Sequence, residues 1–400
     1  MIGFTLTAEQ LLLQKTARAF AADRVAPVAH AVRHGKADKA AVQALFHEGA
    51  ALGFQKLLLP ESAGGLGLSA VDACILLEEL GAADVGIAGD LFALTMTVPL
   101  LILRGGNAEQ HARLLPPFLS GQGVVVAGAQ SEPNVGGSEI MSPSPDPARG
   151  PRTFAKRDGQ DYVLNGQKSA FITNAGAAQG FVVMARTDLG KPVGESLTAF
   201  WIPRDTPGVT VGPSTALIGW KASSHAPLYL SDVRVPEHNR IGAEGQAGML
   251  FAQLPEMPIC LAACFVGLAR AAYDKALDYA KSRSSHGVPI IEHQTVALRL
   301  ADMAVDIQAA RLMVWDAAAA CADNWFEAAT LKGPAAKTVA VDAAIRNAER
   351  LVQIMGGYGV TEEYGAGAML NDAWIGWACD FTRDVLRLGM VPFLQPTSPA

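Results

Sequence analysis

Val341-Asp-Ala-Ala-Ile345-Arg-Asn-Ala348-Glu-Arg-Leu-Val352-Gln-Ile-Met355-Gly-Gly-Tyr-Gly359 is the stretch on which the fold turns. Val341, Ile345, Ala348, Val352 and Met355 recur at spacings of four and three, which puts them on one face of an α-helix. Gly356-Gly357 stops that helix. A C-cap accounts for one glycine but not for three, and backbone without side chains lets the chain approach something closely beside the Gln353 amide. Upstream, Val296, Leu300, Met303, Ile307, Ala310 and Val314 carry the same periodicity. Long stripes of this kind are how a four-helix bundle buries its seam.

Working towards the N-terminus, the texture changes. Tyr162-Val-Leu164, then Asn165-Gly166, then an apolar run to Ile172 predicts a hairpin with the tight turn that Asn-Gly favours. Short β-rich runs follow at Phe181–Ala185, Leu197–Ile202, Val209–Val211 and Leu228–Val235. Before them the chain reads as helices, from the capping box Thr7-Ala-Glu-Gln10 through breaks at Pro60, Gly64-Gly65, Gly105-Gly106 and Pro116-Pro117. The expected class is therefore α+β: an N-terminal helical domain (1–122), a central β-domain (123–240) and a C-terminal four-helix bundle (241–400). The Pro/Ser stretch Met141–Arg152 reads as an insertion.

Composition narrows the function. The 400 residues are 50% hydrophobic and 18% charged, which excludes a disordered chain. With 32 Lys+Arg against 38 Asp+Glu, the net charge of -6 argues against nucleic-acid binding. Leu91–Leu103 and Met257–Ala269 are too short to cross a bilayer and are expected to be buried helices. Met1–Gln10 lacks the features of a secretory signal, and five scattered cysteines fit reduced thiols, so a cytoplasmic protein is expected.

Familiar motifs fall away on context. Gly65-Leu-Gly67-Leu-Ser-Ala70 imitates a dinucleotide-binding loop but has no βαβ unit around it. His30 and His34 have helical spacing without a third ligand nearby in sequence, as a solvated helix face would. Cys260 and Cys264 read as small core residues. Ala129-Gln-Ser-Glu-Pro-Asn-Val-Gly-Gly-Ser138 admits two readings, an ordinary turn or a bend whose backbone N–H groups receive an anion.

Taken together, the motifs resemble the acyl-CoA dehydrogenase family over nearly the whole chain. The resemblance rests on Leu52-Gly53, Leu59-Pro60-Glu61, Gly64-Gly65-Leu-Gly67-Leu68, Ser131-Glu-Pro133 and Phe171-Ile-Thr-Asn174. It continues through Asp232-Val-Arg-Val-Pro236, Gly242-Ala-Glu-Gly245, Tyr279-Ala-Lys-Ser-Arg283, His293-Gln294 and Gln353–Gly359, in the family's order and spacing. The family has the same α, β, α architecture and binds FAD without a Rossmann loop. The resemblance implies Ser131 near the flavin pyrimidine, Phe171 against the ring system, Thr173 at flavin N5, and Gly136 and Ser138 along the pyrophosphate. Thr382 is counted with them. It further implies a homo-oligomer, dimer or tetramer, in which Arg283, Gln294, Gln353, Gly356 and Gly357 reach the neighbour's FAD. The implied substrate is an acyl-CoA of lipid metabolism, with an electron-transfer flavoprotein as acceptor.

Counting from Asn371-Asp372-Ala373, the family's catalytic glutamate falls on Asp380, whose arm is shorter by roughly one C–C bond, about 1.5 Å. Phe381 replaces a glycine beside it. Glu256, one residue from the place where other members carry the base, is the second candidate, and an ordinary surface carboxylate is the bland alternative for Asp380. The family's arginine is lost at Pro258 and Asn371, its Gly-Ser-Asp reads Gly136-Gly137-Ser138, and residues 254–258 lack its pantetheine aspartate. Lys168–Phe171 carries one extra residue, as a bulge would. Two further readings stay open: a flavin oxidase similar to nitroalkane oxidase, and a non-catalytic partner subunit.

Overall fold

A computed structural model describes residues 5–141, 143–380 and 382–394. Helix α1 (Ala8–Phe20) starts at the expected capping box, with Thr7 and Gln10 exchanging side-chain and backbone hydrogen bonds. Beyond two further helices, Ala26–Arg33 and Lys39–Ala51, come α2 (Ala70–Ala83) and α3 (Ile87–Gly105), whose first turns, Ile87–Ala93, are π-helical. After the sheet domain the chain returns to helices: α4 (Glu256–Ser282), α5 (Gln294–Asp323), α6 (Gly333–Met355), α7 (Ala366–Ala378) and α8 (Arg383–Met390). The predicted stripes bury Leu300, Met303, Ile307, Ala310 and Val314 of α5, and Val341 and Ala348 of α6.

The two apolar segments are longer than expected. Helices α3 and α4 run 19 and 27 residues, long enough to span a bilayer, yet 83% and 78% of their most apolar windows are buried in protein. Glycine lets α4 lie directly on α2. A Cβ on Gly81 would sit 2.3 Å from the Cys264 carbonyl oxygen, and one on Gly267 2.2 Å from that of Glu78. Cys260 and Cys264 fill this core as small buried residues. Above the contact, Arg311 holds Glu78 through two hydrogen bonds of 2.9 and 2.7 Å, and Arg18 and Arg270 hold Glu79. Carboxylates this deep require such paired donors.

The sheet strands are β1 (Val126–Ala129), β2 (Phe154–Asp158), β3 (Asp161–Ile172), β4 (Gly180–Arg186), β5 (Leu197–Pro203), β6 (Val209–Val211), β7 (Ala226–Pro236) and β8 (Arg240–Ile241). They run in the order β6-β7-β3-β2-β4-β5-β8, with β1 parallel to β4. One expectation fails. Asn165-Gly166 is not a turn: β3 passes straight through it, and the β2–β3 hairpin turns between Asp158 and Asp161. Instead β3 and β7 shift register between Leu164 and Gly166. The Asn165 side chain pairs with Asp232 there, and a Cβ on Gly166 would lie 2.6 Å from Thr153 Oγ1. Close strand approach thus explains the glycine. The irregularity expected at Lys168–Phe171 is present but holds two extra residues rather than one, because Lys168 pairs with Leu228 while Ile172 pairs with Ala226.

Asp372 of α7 ties the three parts together. It accepts from the Trp220 backbone N–H at 2.7 Å and from Arg33 at 2.8 Å, and Arg33 also reaches Asp84 at 3.4 Å. Burial first, then the Asp372 charge, push the Asp84 carboxyl from 3.8 up to about 6. A raised folded value means the folded state holds the proton more tightly. The resulting stabilisation is complete below the unfolded value and is lost as pH rises through 6. Asp84→Asn should therefore gain stability relative to wild type between acid and neutral pH, by up to about 3 kcal/mol. Urea unfolding at several pH values measures this, and a pH-independent difference would refute it.

Candidate active site

The Ser131-Glu-Pro loop is anchored by a buried ion pair. Lys168 of β3 donates to Glu132 at 2.9 Å and to the Gln130 carbonyl at 3.1 Å, and Glu132 also accepts from the Arg152 and Thr153 N–H groups. Burial lowers the Lys168 pKa. On Glu132 burial acts the other way but is outweighed, with Lys168 the largest opposing influence, so its carboxyl is held low. This anchoring brings three of the expected residues to the same end of β3. Ser131 Oγ lies 2.8 Å from Ser169 Oγ, Phe171 is 62% exposed, and Thr173 is half-buried with its hydroxyl 3.2 Å from His225 Nε2.

Gly136 and Ser138 already hold an anion, the Glu139 carboxylate. It accepts from the Gly136 N–H at 3.0 Å and the Ser138 hydroxyl at 2.7 Å. Ser138 and Glu139 border a cavity of 870 Å³ lined also by Glu132, Arg149, Arg152 and Gln167 among others. The stretch read as an insertion supplies both arginines.

The bundle residues form a separate group. Arg283, Gly356 and Gly357 line a 470 Å³ cavity with Tyr279, Met355 and Tyr358, and the Arg283 guanidinium lies over the Tyr358 ring. Gln294 opens α5 and is exposed, while Gln353 accepts from Arg299 at 3.2 Å. Two of the three glycines have a reason in the backbone. Gly356 has φ +58°, and a Cβ on Gly359 would lie 2.4 Å from the Val352 carbonyl. Gly357 needs neither, and open space surrounds its missing Cβ. Leu388 of α8 lines the cavity beside Ser138, but Arg283, Gly356 and Gly357 do not, so the expected flavin residues fall into two separate groups.

Asp380 follows α7 with φ +44°, a left-handed conformation that Asp tolerates better than Glu. This gives the shortened arm a physical reason. The Lys337 ammonium, 1% exposed, donates to the Cys379 carbonyl at 2.6 Å and to that of Asp380. Asp380 Oδ2 is buried, 4.0 Å from Lys337 Nζ, and has no hydrogen-bond partner among the described residues. Phe381 lies outside the described residues. The Thr382 hydroxyl caps α8, accepting from the Val385 N–H. Glu256 is placed differently: both its oxygens are held by Arg104, at 2.7 and 2.8 Å. Sequence reasoning missed Lys337, Arg104, and the buried pair Asp90 and His225, none of which carries a local motif. Asp90 and Asp380 share an environment. Burial first pushes the Cys379 thiol up to about 12, with both carboxylates adding to it against Lys337.

These residues fit FAD in chemistry. Open backbone at Gly357 beside a guanidinium suits a diphosphate, and an exposed Phe171 suits a ring face. A loop that already binds a carboxylate through N–H and O–H donors is receptive to phosphate, provided Glu139 turns away. Glu139→Ala should tighten FAD binding by about tenfold, roughly 1.4 kcal/mol. Titration of apoprotein by quenching of flavin fluorescence measures it, and weaker binding would contradict the competition.

Comparison with known proteins identifies the family and the fold. The family descriptions "Acyl-CoA dehydrogenase" N-terminal, middle and C-terminal domain match residues 7–122, 127–233 and 249–387. A probable acyl-CoA dehydrogenase of Bacillus subtilis is 34% identical over 97% of this chain and 98% of its own. The structure of butyryl-CoA dehydrogenase from Megasphaera elsdenii superposes with TM-score 0.89 and 32% identity, covering 98% of this chain and 100% of that one. An FAD complex of PigA gives 0.88 at 27% identity, covering 98% and 99%.

Proposed function

Because this chain belongs to the acyl-CoA dehydrogenase family, FAD-dependent oxidoreductases acting on CH–CH bonds, we propose that it introduces a Cα–Cβ double bond into an acyl-CoA thioester. The observation that carries the reading is the Asp380 carboxylate, whose Oδ2 is buried, accepts no hydrogen bond among the described residues and lies 4.0 Å from Lys337 Nζ. A base needs a lone pair that nothing else occupies. When bound, FAD accepts the β-hydride.

The remaining work belongs to the chain. Asp380 takes the α-proton, and Lys337 fixes the backbone that carries it. Ser131, Phe171 and Thr173 receive the flavin ring system, Gly136 and Ser138 its pyrophosphate, and Thr382, two residues after the base, is counted with them. Glu256 serves as an Arg104 partner rather than as the base, since a bidentate ion pair leaves its oxygens committed.

The reading extends to assembly. Arg283, Gln294, Gln353, Gly356 and Gly357 would complete the flavin site of a second copy, a reading supported by the separation of Arg283, Gly356 and Gly357 from the cavity beside Ser138. Leu298 and Val305, seven residues apart on α5, are 66% and 67% exposed and offer an apolar stripe for self-association. A homo-oligomer, dimer or tetramer, follows. We assign an electron-transfer flavoprotein as acceptor. A cytoplasmic setting is supported by five free cysteines.

Asp380→Asn should retain FAD and slow its anaerobic reduction by acyl-CoA about 10²–10⁴-fold, the usual worth of a positioned base. Stopped-flow absorbance with a series of acyl-CoAs measures this, and an unchanged rate would move the base elsewhere. The double variant Leu298→Arg and Val305→Arg should lower molar mass and FAD occupancy together. Light scattering that reveals a fully flavinated monomer would oppose the shared site.

A further inference from the structure

Behind Thr173 lie two buried ionisable groups that the proposed reaction does not use. Asp90 sits in the π-helical turn of α3, and His225 just precedes β7. Each side chain is 7% exposed, and His225 Nε2 stands 3.8 Å from Asp90 Oδ2 and 3.2 Å from Thr173 Oγ1. Asp90 Oδ2 and His225 Nδ1 have no hydrogen-bond partner among the described residues. Asn174 donates to the Asp90 carbonyl and to that of Val126, so the backbone under the carboxylate is pinned to the sheet. A purely structural pair does not leave two buried polar atoms unanswered without cost. Mid-helix π-turns also occur often at functional sites.

A threonine hydroxyl has one hydrogen to give. If Nε2 carries a proton, it donates to Thr173 Oγ1, and the hydroxyl hydrogen is left to point away from His225. If Nε2 is bare, the hydroxyl turns inward to it and can only accept on its other side. We propose that Asp90 and His225 are positioning residues that set this polarity of Thr173 towards the flavin, by exchanging one proton between Nε2 and Asp90 Oδ2. The exchange breaks an N–H bond and forms an O–H bond, converting an imidazolium–carboxylate pair into a neutral pair without electron transfer. Burial raises the Asp90 pKa, which brings its neutral form within reach. The inference rests on the reading that Thr173 lies at flavin N5.

Among the described residues few other groups bear on the pair; the buried Ser223 hydroxyl is one, and it opposes the upward push of burial on Asp90. Cys264 of α4 and Cys379 after α7 are electrostatically coupled to Asp90, and burial keeps both thiols protonated. Lys39 reaches Ser224, the residue before His225, at 3.3 Å. Asp380 and Lys337 lie beyond Cys379.

The test uses FAD-loaded wild type, Asp90→Asn and His225→Gln. Infrared difference spectra are recorded between the oxidised protein and the protein reduced chemically, at one pH. An oxidised N5 accepts from the Thr173 hydroxyl whereas a reduced N5–H donates to it, so reduction should move the proton from Nε2 to Asp90 and raise a protonated-carboxyl C=O band in wild type. Both variants should lack the band while keeping FAD, since neither can exchange the proton. The same band in His225→Gln, or none in wild type, would overturn the proposal. If Asp90→Asn does not fold, His225→Gln decides alone. A protein that shows the band but is reduced by no acyl-CoA would sink the proposed function and leave this inference standing. One that takes up no FAD would sink both.

Discussion

A lysine ammonium enclosed in a helical bundle must find acceptors in the protein, because desolvation without them is prohibitive. Lys337 of α6 finds the carbonyls of Cys379 and Asp380. That constraint bends the chain at the end of α7 and holds Asp380 in a left-handed conformation. The carboxylate direction is therefore set by a charge on another helix, not by the local sequence. Lys168 works by the same physics at the other side of the site, where its ammonium fixes Glu132 and with it the loop of Ser131.

Those two anchors are useful only if the bundle and the sheet keep a fixed relation. The contact of α2 with α4 through Gly81 and Gly267 joins the N-terminal helices to the bundle at backbone distance. Asp372 then binds the Trp220 backbone and Arg33, so one residue of α7 grips the sheet domain and the N-terminal domain shortly before the chain reaches Asp380. Displacements of about an ångström at a reacting group are enough to cost activity, which gives these remote contacts a catalytic consequence.

Much of this was legible in the sequence. The stripes of α5 and α6, the strands from Phe181 to Val235 and the bulge after Lys168 are local patterns, and local patterns survive folding. Asn165-Gly166 misled because its turn preference is weaker than the pairing of β3 with β7, and the glycine is required by Thr153, a strand away. Lengths of α3 and α4 were underread, since charged and small residues at their ends continue the helix without apolar signal. Lys337, Arg104, Asp90 and His225 carried no motif at all, as their partners lie far along the chain. Of the three glycines after Met355, only Gly357 is left unexplained by the fold, which is where a ligand is the simplest account.

In the proposed reaction a carboxylate removes an α-proton as the β-hydride departs. The most direct measurement is anaerobic titration of the flavinated protein with butyryl-CoA and with 2,2-dimethylbutyryl-CoA, which has no α-hydrogen. Stoichiometric bleaching of the flavin by the first and none by the second is the result expected. Equal bleaching by both, or a flavin left oxidised by every thioester that carries hydrogens at both carbons, would contradict it.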